Sequence, residues 1–399
     1  MKYVIILADG MAGEPLEELQ GQTTLEAADT PMMDELAKEA EIGMACMIPD
    51  DMEPGSDVAN LSVLGYDPHI YYTGRSSLEA LSLGIDLEED DVAFRANFVT
   101  LSGNETLYEK KKIIDHSAGE ISTKEAGRLI YDLGKKICRK GYALYPGTSY
   151  RNLLVQKNGK MTNLTPPHNI LLQEIKDHLP KDKELLRMMK ESYDILKNHP
   201  VNIKRRERGE NTADTLWFWG EAQKTSLSSF YKRTGKKAAM ISAVDLLRGI
   251  ANGAGIKNIM VEGATGGLHT NYKGKAEAAV QALKEKTDLV YIHIEAPDEM
   301  GHLGLAASKI QAIESIDCEI IKTVVSELRD LKEQFRILIL PDHPTPVCKR
   351  THTREAVPYL LYESDLKRSG QSSYNEKTGR KSGIYLKEGY HLIDRLIRE

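Results

Sequence analysis

Leu289–His302 reads LVYIHIEAPDEMGH. Its first six residues form a nearly unbroken apolar run that ends in Glu-Ala-Pro-Asp. A short run without alternation is the pattern of a strand covered on both faces in a parallel sheet. Three other stretches repeat it: Tyr3–Ala8 runs into Asp9-Gly10, Asn258–Val261 into Glu262-Gly263, and Phe335–Leu340 into Pro341-Asp342-His343. Helical patterns lie between them. One starts at Thr30-Pro31, with Thr as N-cap and Pro at the first helical position, and runs to about Glu41. Another covers about Ala306 to Leu331, with apolar residues at Ile310, Ile313, Ile316, Ile320, Ile321 and Val324. Strands and helices that alternate in this way predict an α/β fold on a doubly wound sheet.

The middle of the chain reads differently. It mixes strand patterns (Val92–Leu101, Arg151–Val155) with helical ones (Thr123–Lys140, Lys183–Asn198) and carries Lys-rich runs such as Lys110–Lys112. Such runs are usually solvated faces. The expected organisation is an α/β domain of residues 1–84 plus 210–399, interrupted by a smaller α/β (α+β) domain at 85–209.

Composition narrows the function without naming it. The 399 residues carry 53 Lys+Arg against 59 Asp+Glu, a net charge of −6. A nucleic-acid or membrane-surface protein usually has a basic excess. No apolar run approaches the roughly 20 residues of a spanning helix, and Asp9 interrupts the N-terminal run too early for a signal peptide. Four Cys without a CxxC pair fit reduced thiols. The expectation is a cytoplasmic chain with no nucleic-acid or membrane partner.

Four patches place metal-binding side chains where strands end, and loops beyond the carboxyl ends of parallel strands are where open α/β sheets build sites. Asp9 follows the first strand; alone it is a turn residue before Gly10. Ser56, in Pro54–Asn60, sits where a helix should begin. Its commonest job there is capping, yet the same helix end attracts an anion, so Ser56 is also a candidate nucleophile. Asp298 and His302 are spaced i, i+4, which on a helix brings both to one point and suits a divalent metal. Asp342 and His343 converge only if the proline-flanked loop is bent, and His352 returns nine residues later. The other eight of the eleven histidines show no such spacing. Together the patches supply three Asp, three His and one Ser, the count for two adjacent ions serving in-line phosphoryl transfer.

The stretches LADGMAG (Leu7–Gly13), PGSDVANLSVLGYDP (Pro54–Pro68), YYTGRSSLEALSLGI (Tyr71–Ile85), EAPDEMGHLG (Glu295–Gly304) and LPDHPTPV (Leu340–Val347) resemble the archaeal-type 2,3-bisphosphoglycerate-independent phosphoglycerate mutases of the alkaline phosphatase superfamily. The resemblance spans Lys2 to about His391. It implies an alkaline-phosphatase-like sheet with an inserted domain and two divalent ions such as Mn²⁺ or Zn²⁺, with no bisphosphoglycerate. Asp9, Asp342, His343 and Ser56 would share one ion; Asp298, His302 and His352 would hold the other. Ser56 would take the phosphate of 3-phosphoglycerate and return it to the 2-hydroxyl, in glycolysis and gluconeogenesis. The partner would be a small phosphorylated carboxylic acid, and a homo-oligomer is left open. Family patterns also point to substrate contacts at Arg95, His116 (in Asp115-His116), Arg151, Arg75 and His168. Two departures bear on substrate fit: Asn211–Gly220 continues into Glu221–Lys224 instead of a Gly-rich turn, and Tyr150 precedes Arg151 where many relatives have His. Two other enzyme readings use the same ligands, a homoserine kinase-like phosphotransferase and a metal-dependent phosphatase or phosphodiesterase. A binding protein with a decayed site is the reading outside enzymes; every ligand position holds a competent residue, which argues against it.

Overall fold

Tyr3–Ala8 is buried on both faces within an inner strand of an eight-stranded sheet. The computed structural model describes residues 1–398. In chain order its strands are β1 (Lys2–Ala8), β2 (Glu41–Ala45), β3 (Val92–Leu101), β4 (Ile113–Asp115), β5 (Tyr142–Tyr145), β6 (Arg151–Gln156), β7 (Thr215–Gln223), β8 (Ala238–Ile241), β9 (Lys257–Ile259), β10 (Leu289–Ile294), β11 (Phe335–Leu340), β12 (Val357–Glu363) and β13 (Tyr385–Leu386). The chain divides into a unit of residues 1–72 and 226–399 and a second unit of residues 73–225.

The first unit is built on the sheet β13-β2-β12-β11-β1-β10-β8-β9. β11, β1, β10, β8 and β9 are mutually parallel, and β12 is antiparallel to both its neighbours. One face of β1 and β10 (Val4, Ile6, Ala8, Val290, Ile292, Ile294) packs on the helices Pro31–Ala37, Tyr272–Lys284 and those between Ala306 and Asp330. The opposite face meets the helix Ser56–Val63, and Leu392–Ile397 packs on β11. Helices on both faces are the reason these strands lack alternation.

Two helices differ from expectation. Pro31–Ala37 is shorter than predicted, since the chain enters β2 at Glu41, and the Thr30 side chain does not cap it. The Asp317 carboxylate does, accepting from the Met32 and Met33 N–H groups at 3.0 and 2.7 Å. Asp317 lies in a π-helical segment, Ile316–Ile321, that interrupts the helical stretch beginning at Ala306.

The second unit is an antiparallel sheet in the order β4-β3-β6-β5, with β7 on the free side of β3. All ten residues of β3 are buried. The helices Thr123–Ile137 and Lys183–Leu196 cover it, capped by Ser122 and Asp182, and pack Leu129, Leu133, Met188 and Met189 against Phe94, Phe98 and Trp217. The unit's limits fall at 72/73 and 225/226, where the sequence pointed to 84/85 and 209/210. The helix Arg75–Ser82 packs on β3 and β7, and β7 pairs with β3 over most of its length. Both segments therefore belong to the smaller sheet's unit.

Candidate active site

The first unit gathers its acidic and imidazole side chains at the carboxyl ends of three adjacent strands. Asp9 follows β1, Asp342 and His343 follow β11, and Asp298 lies in the helix Ala296–Leu303 that follows β10. His343 Nε2 is 3.6 Å from Asp9 Oδ1 and 3.4 Å from Asp342 Oδ2. His302 Nε2 and His352 Nε2 are 3.3 and 3.4 Å from the two Asp298 oxygens and 2.8 Å from each other. The His343 and His352 rings stack at 3.9 Å. Ser56 Oγ is 3.1 Å from His343 Nε2. All seven predicted side chains thus meet in one place. Two sets of three converge closely enough to share an ion: Asp9, Asp342 and His343, and Asp298, His343 and His352. His343 belongs to both, whereas the sequence reading put His302 in the second; His302 stands beside that set, half-exposed.

The local chain explains the convergence. Ser56 is the first residue of its helix, and Gly55 is the N-cap, so the Ser56 hydroxyl is not used for capping. The His343 N–H and the Gly10 N–H both donate to Asp342 Oδ1, at 2.9 and 3.2 Å, which bends the loop and brings the two neighbouring side chains together. Gly10 has φ +62°, and a Cβ there would sit 2.6 Å from Asp298 Oδ1 and from Thr345 Oγ1; only glycine fits.

Charge crowding makes the cluster suited to a cation. Burial, then the charges of Asp342, Asp298 and Glu295, raise Asp9 well above the usual carboxylate range. Burial also works to raise Asp298, but hydrogen bonds from His302 and His352 and the charge of His343 outweigh it and hold that carboxyl well below its usual value. Asp298 lifts His302 to about 9. Asp9 Oδ1 is buried without a hydrogen-bond partner. A buried carboxylate oxygen left bare beside two other carboxylates is costly unless a cation completes it, and three Asp with three His suit Mn²⁺, Zn²⁺ or a similar ion.

Several supporting residues escaped the sequence reading. Asn60 Nδ2 donates to Asp342 Oδ2 and to the Ser56 carbonyl, both at 2.8 Å. The Tyr291 hydroxyl donates to Asn60 Oδ1. Fully buried Lys309 ties the two ligand loops together, donating to the Gly10, Ala12 and Thr345 carbonyls at 2.6, 3.1 and 2.8 Å. His293 reaches Asp9, and burial holds its imidazole near 3, neutral at pH 7. A polar residue inside the apolar run 289–294 was its one visible signal.

The second unit assembles a cationic and aromatic cluster from the other five predicted residues. Arg95 (β3) lies with its guanidinium carbon 4.4 Å from the centre of the Trp219 ring (β7) and its Nε 3.2 Å from Glu79 Oε1. Arg75 reaches the same carboxylate at 3.4 Å. Trp219 meets His168 edge-on at 5.3 Å, His168 meets His116 at 6.2 Å, and His116 meets Tyr150 at 6.0 Å, with Arg151 over the Tyr150 ring. Burial, with the charges of His116 and Arg95, lowers the His168 pKa. Asp115, beside His116, is taken up by Ser117, Gly119 and Asn211. Trp219 Nε1 and Asn97 Oδ1 are buried without partners. Two Arg on one carboxylate, with a third Arg and two His linked to them through aromatic contacts, form a cluster suited to a small anion.

Residues 37–202 match the family described as 2,3-bisphosphoglycerate-independent phosphoglycerate mutase. A protein of that name from Methanosarcina barkeri is 44% identical over the whole of both chains. A second, from Methanothermobacter thermautotrophicus, is 42% identical over 99% of this chain and 96% of its own. Among solved structures, the PH0037 protein from Pyrococcus horikoshii superposes with a TM-score of 0.83 at 29% identity, covering 99% of this chain and 96% of that one. A cofactor-independent phosphoglycerate mutase from Thermoplasma acidophilum shares the fold, with a TM-score of 0.68 at 24% identity over 100% and 99% of the two chains.

Proposed function

The chain belongs to the 2,3-bisphosphoglycerate-independent phosphoglycerate mutases, and from that membership we propose that it interconverts 3-phosphoglycerate and 2-phosphoglycerate through a phosphoserine on Ser56. The observation that carries the reading is the approach of Ser56 Oγ to His343 Nε2, inside a cluster of three Asp and three His. Asp9, Asp342 and His343 are suited to hold one divalent ion, and Asp298, His352 and His302 a second, with His343 near both. Ions bound there supply Lewis-acid charge that acidifies a hydroxyl and neutralises phosphoryl oxygens.

The chain's own groups do the rest. Ser56 Oγ forms the bond to phosphorus while the bond to the 3-oxygen breaks, and the proton that Ser56 gives up ends on that oxygen, which leaves as a hydroxyl. The 2-hydroxyl then attacks the phosphoserine, its proton ends on Ser56 Oγ, and Ser56 is regenerated, so no water and no bisphosphoglycerate is consumed. At the first position of its helix, Ser56 places the transferred phosphoryl group at the positive end of the helix dipole. Arg95, Arg151 and Arg75, with His116 and His168, are the proposed contacts for the carboxylate and phosphate of the substrate. The reaction belongs to glycolysis and gluconeogenesis in the cytoplasm. Among the described residues no helix is long and apolar enough to cross a membrane.

The test is an enolase-coupled assay of 3-phosphoglycerate on Mn²⁺-loaded protein without added 2,3-bisphosphoglycerate, beside a homoserine-plus-ATP assay on the same sample. Wild type should turn over the first substrate only, and Ser56→Ala should lose that turnover with an unchanged circular dichroism spectrum. Turnover retained in Ser56→Ala would remove Ser56 as nucleophile.

A further inference from the structure

His293 is a polar residue in a strand whose other members are Leu, Val, Tyr and Ile, and it is fully buried. Both of its ring nitrogens are engaged. Nε2 is 2.9 Å from Asp9 Oδ2, and Nδ1 is 3.2 Å from Ser242 Oγ. The direction of these bonds follows from donor counting. Ser242 Oγ already accepts from the Val244 N–H at 3.0 Å. An ionised Asp9 carboxylate can only accept, so Nε2 carries the ring proton and donates it to Oδ2. Nδ1 of the neutral ring then has a lone pair and accepts from the Ser242 hydroxyl. The Lys275 ammonium holds the backbone at this point, donating to the His293 carbonyl at 3.0 Å.

The consequence falls on Asp9. Oδ2 is occupied by His293, while Oδ1, on the side of His343 Nε2, is buried with no hydrogen-bond partner. The carboxylate is divided, one oxygen bound by the protein and the other left bare. Two residues earlier on the same face of β10, Tyr291 does the parallel task through Asn60 for Asp342. Both carboxylates of one ligand set are thus oriented from a single strand face.

We propose that His293, with Ser242 behind it, is a positioning residue that presents Asp9 Oδ1 to the ion shared with Asp342 and His343. This rests on the metal-site reading above. An imidazole that donates to a liganding carboxylate fixes its rotamer, and loss of such a partner typically weakens metal affinity by roughly 10- to 100-fold.

The experiment uses the full chain, stripped by chelation and titrated with Mn²⁺ alone, by calorimetry with metal analysis after dialysis. Wild type should bind two ions per chain; fewer would overturn the metal-site reading itself. His293→Ala should bind one ion as wild type does and the other roughly 10- to 100-fold more weakly. His293→Gln, whose Nε2–H can donate to the same carboxylate oxygen, should recover most of the loss. Ser242→Ala removes the donor that supports this tautomer without approaching the ion, and should weaken the same ion. His293→Ala that binds both ions like wild type, or that weakens both equally, overturns the proposal. If His293→Ala does not fold, Ser242→Ala and His293→Gln decide: Ser242→Ala with both ions at wild-type affinity, or His293→Gln as weak as a chain lacking that ion, overturns it.

Discussion

Asn60 offers a sharp test of how the ligand cluster is held. It is fully buried, and its amide makes three hydrogen bonds, to Asp342 Oδ2, to the Ser56 carbonyl and from the Tyr291 hydroxyl. Asn60→Ala strands two buried polar groups, the Tyr291 hydroxyl and one oxygen of Asp342. Each costs about 1–3 kcal/mol when left unmade, so the first unit should lose about 3–5 kcal/mol. Tyr291→Phe alone strands only Asn60 Oδ1 and should cost about 1–2 kcal/mol. In the Asn60→Ala background the same substitution removes a stranded hydroxyl, and should be neutral or stabilising by about 1 kcal/mol. The double-mutant cycle then gives a coupling of about 2 kcal/mol. Urea unfolding of metal-free protein measures it. Both tryptophans, Trp217 and Trp219, lie in the second unit, so a circular dichroism transition that Trp fluorescence does not follow belongs to the first. Additive effects, with Tyr291→Phe destabilising equally in both backgrounds, would refute the reasoning.

Three further outcomes are expected. Arg95→Lys should lower kcat/KM for 3-phosphoglycerate at least ~10-fold with little change in melting temperature, because Lys keeps the charge but loses the planar stacking on Trp219; unchanged steady-state kinetics would remove Arg95 as a substrate contact. Prolonged chelation should abolish turnover and lower the melting temperature, since each ion at ~100 times its dissociation constant adds about 2.7 kcal/mol; Mn²⁺ should restore both, and activity that survives chelation would sink the metal-site reading. Glu363, 3% exposed, pairs with Arg336, Arg368 and Arg398 at 3.1, 2.7 and 2.7 Å. Burial opposes its ionisation, but the three guanidinium groups outweigh that and hold it below the usual carboxylate value. Its folded pKa is therefore lower than its unfolded one, so its contribution is fully present above about pH 4.3 and is lost as the pH falls through the folded value. Glu363→Gln should destabilise the first unit by about 3 kcal/mol at pH 7 and flatten the acid limb of its stability curve; a curve parallel to wild type would show that the carboxylate contributes nothing.

The strand runs, the Asp-x-x-x-His turn and the small-residue loops were legible in the sequence, because each is a local pattern in which a few neighbouring residues set conformation and burial. The seven residues proposed as metal ligands and nucleophile were likewise visible, near the ends of strands or the starts of helices. What escaped depends on long-range contacts. Asp317 caps a helix some 285 positions away in sequence, so the Thr30-Pro31 signal identified the right start with the wrong capping group. Residues 73–84 and 210–225 carry no local signal that assigns them to either unit, and their pairing and packing against β3 put them in the inserted one.

The site divides in the same way. That Asp9, Ser56, Asp298, His302, Asp342, His343 and His352 are side chains able to bind metal or attack phosphorus is a property of the sequence alone. The tertiary structure decided that His343 stands between two ligand sets and that Gly55, not Ser56, takes the capping position. It also decided that Asp9 is held by His293 through one oxygen only. Local spacing can choose a residue's chemistry, but which lone pair stays free depends on atoms brought in from strands and helices hundreds of residues away, where packing and donor counting set the orientation.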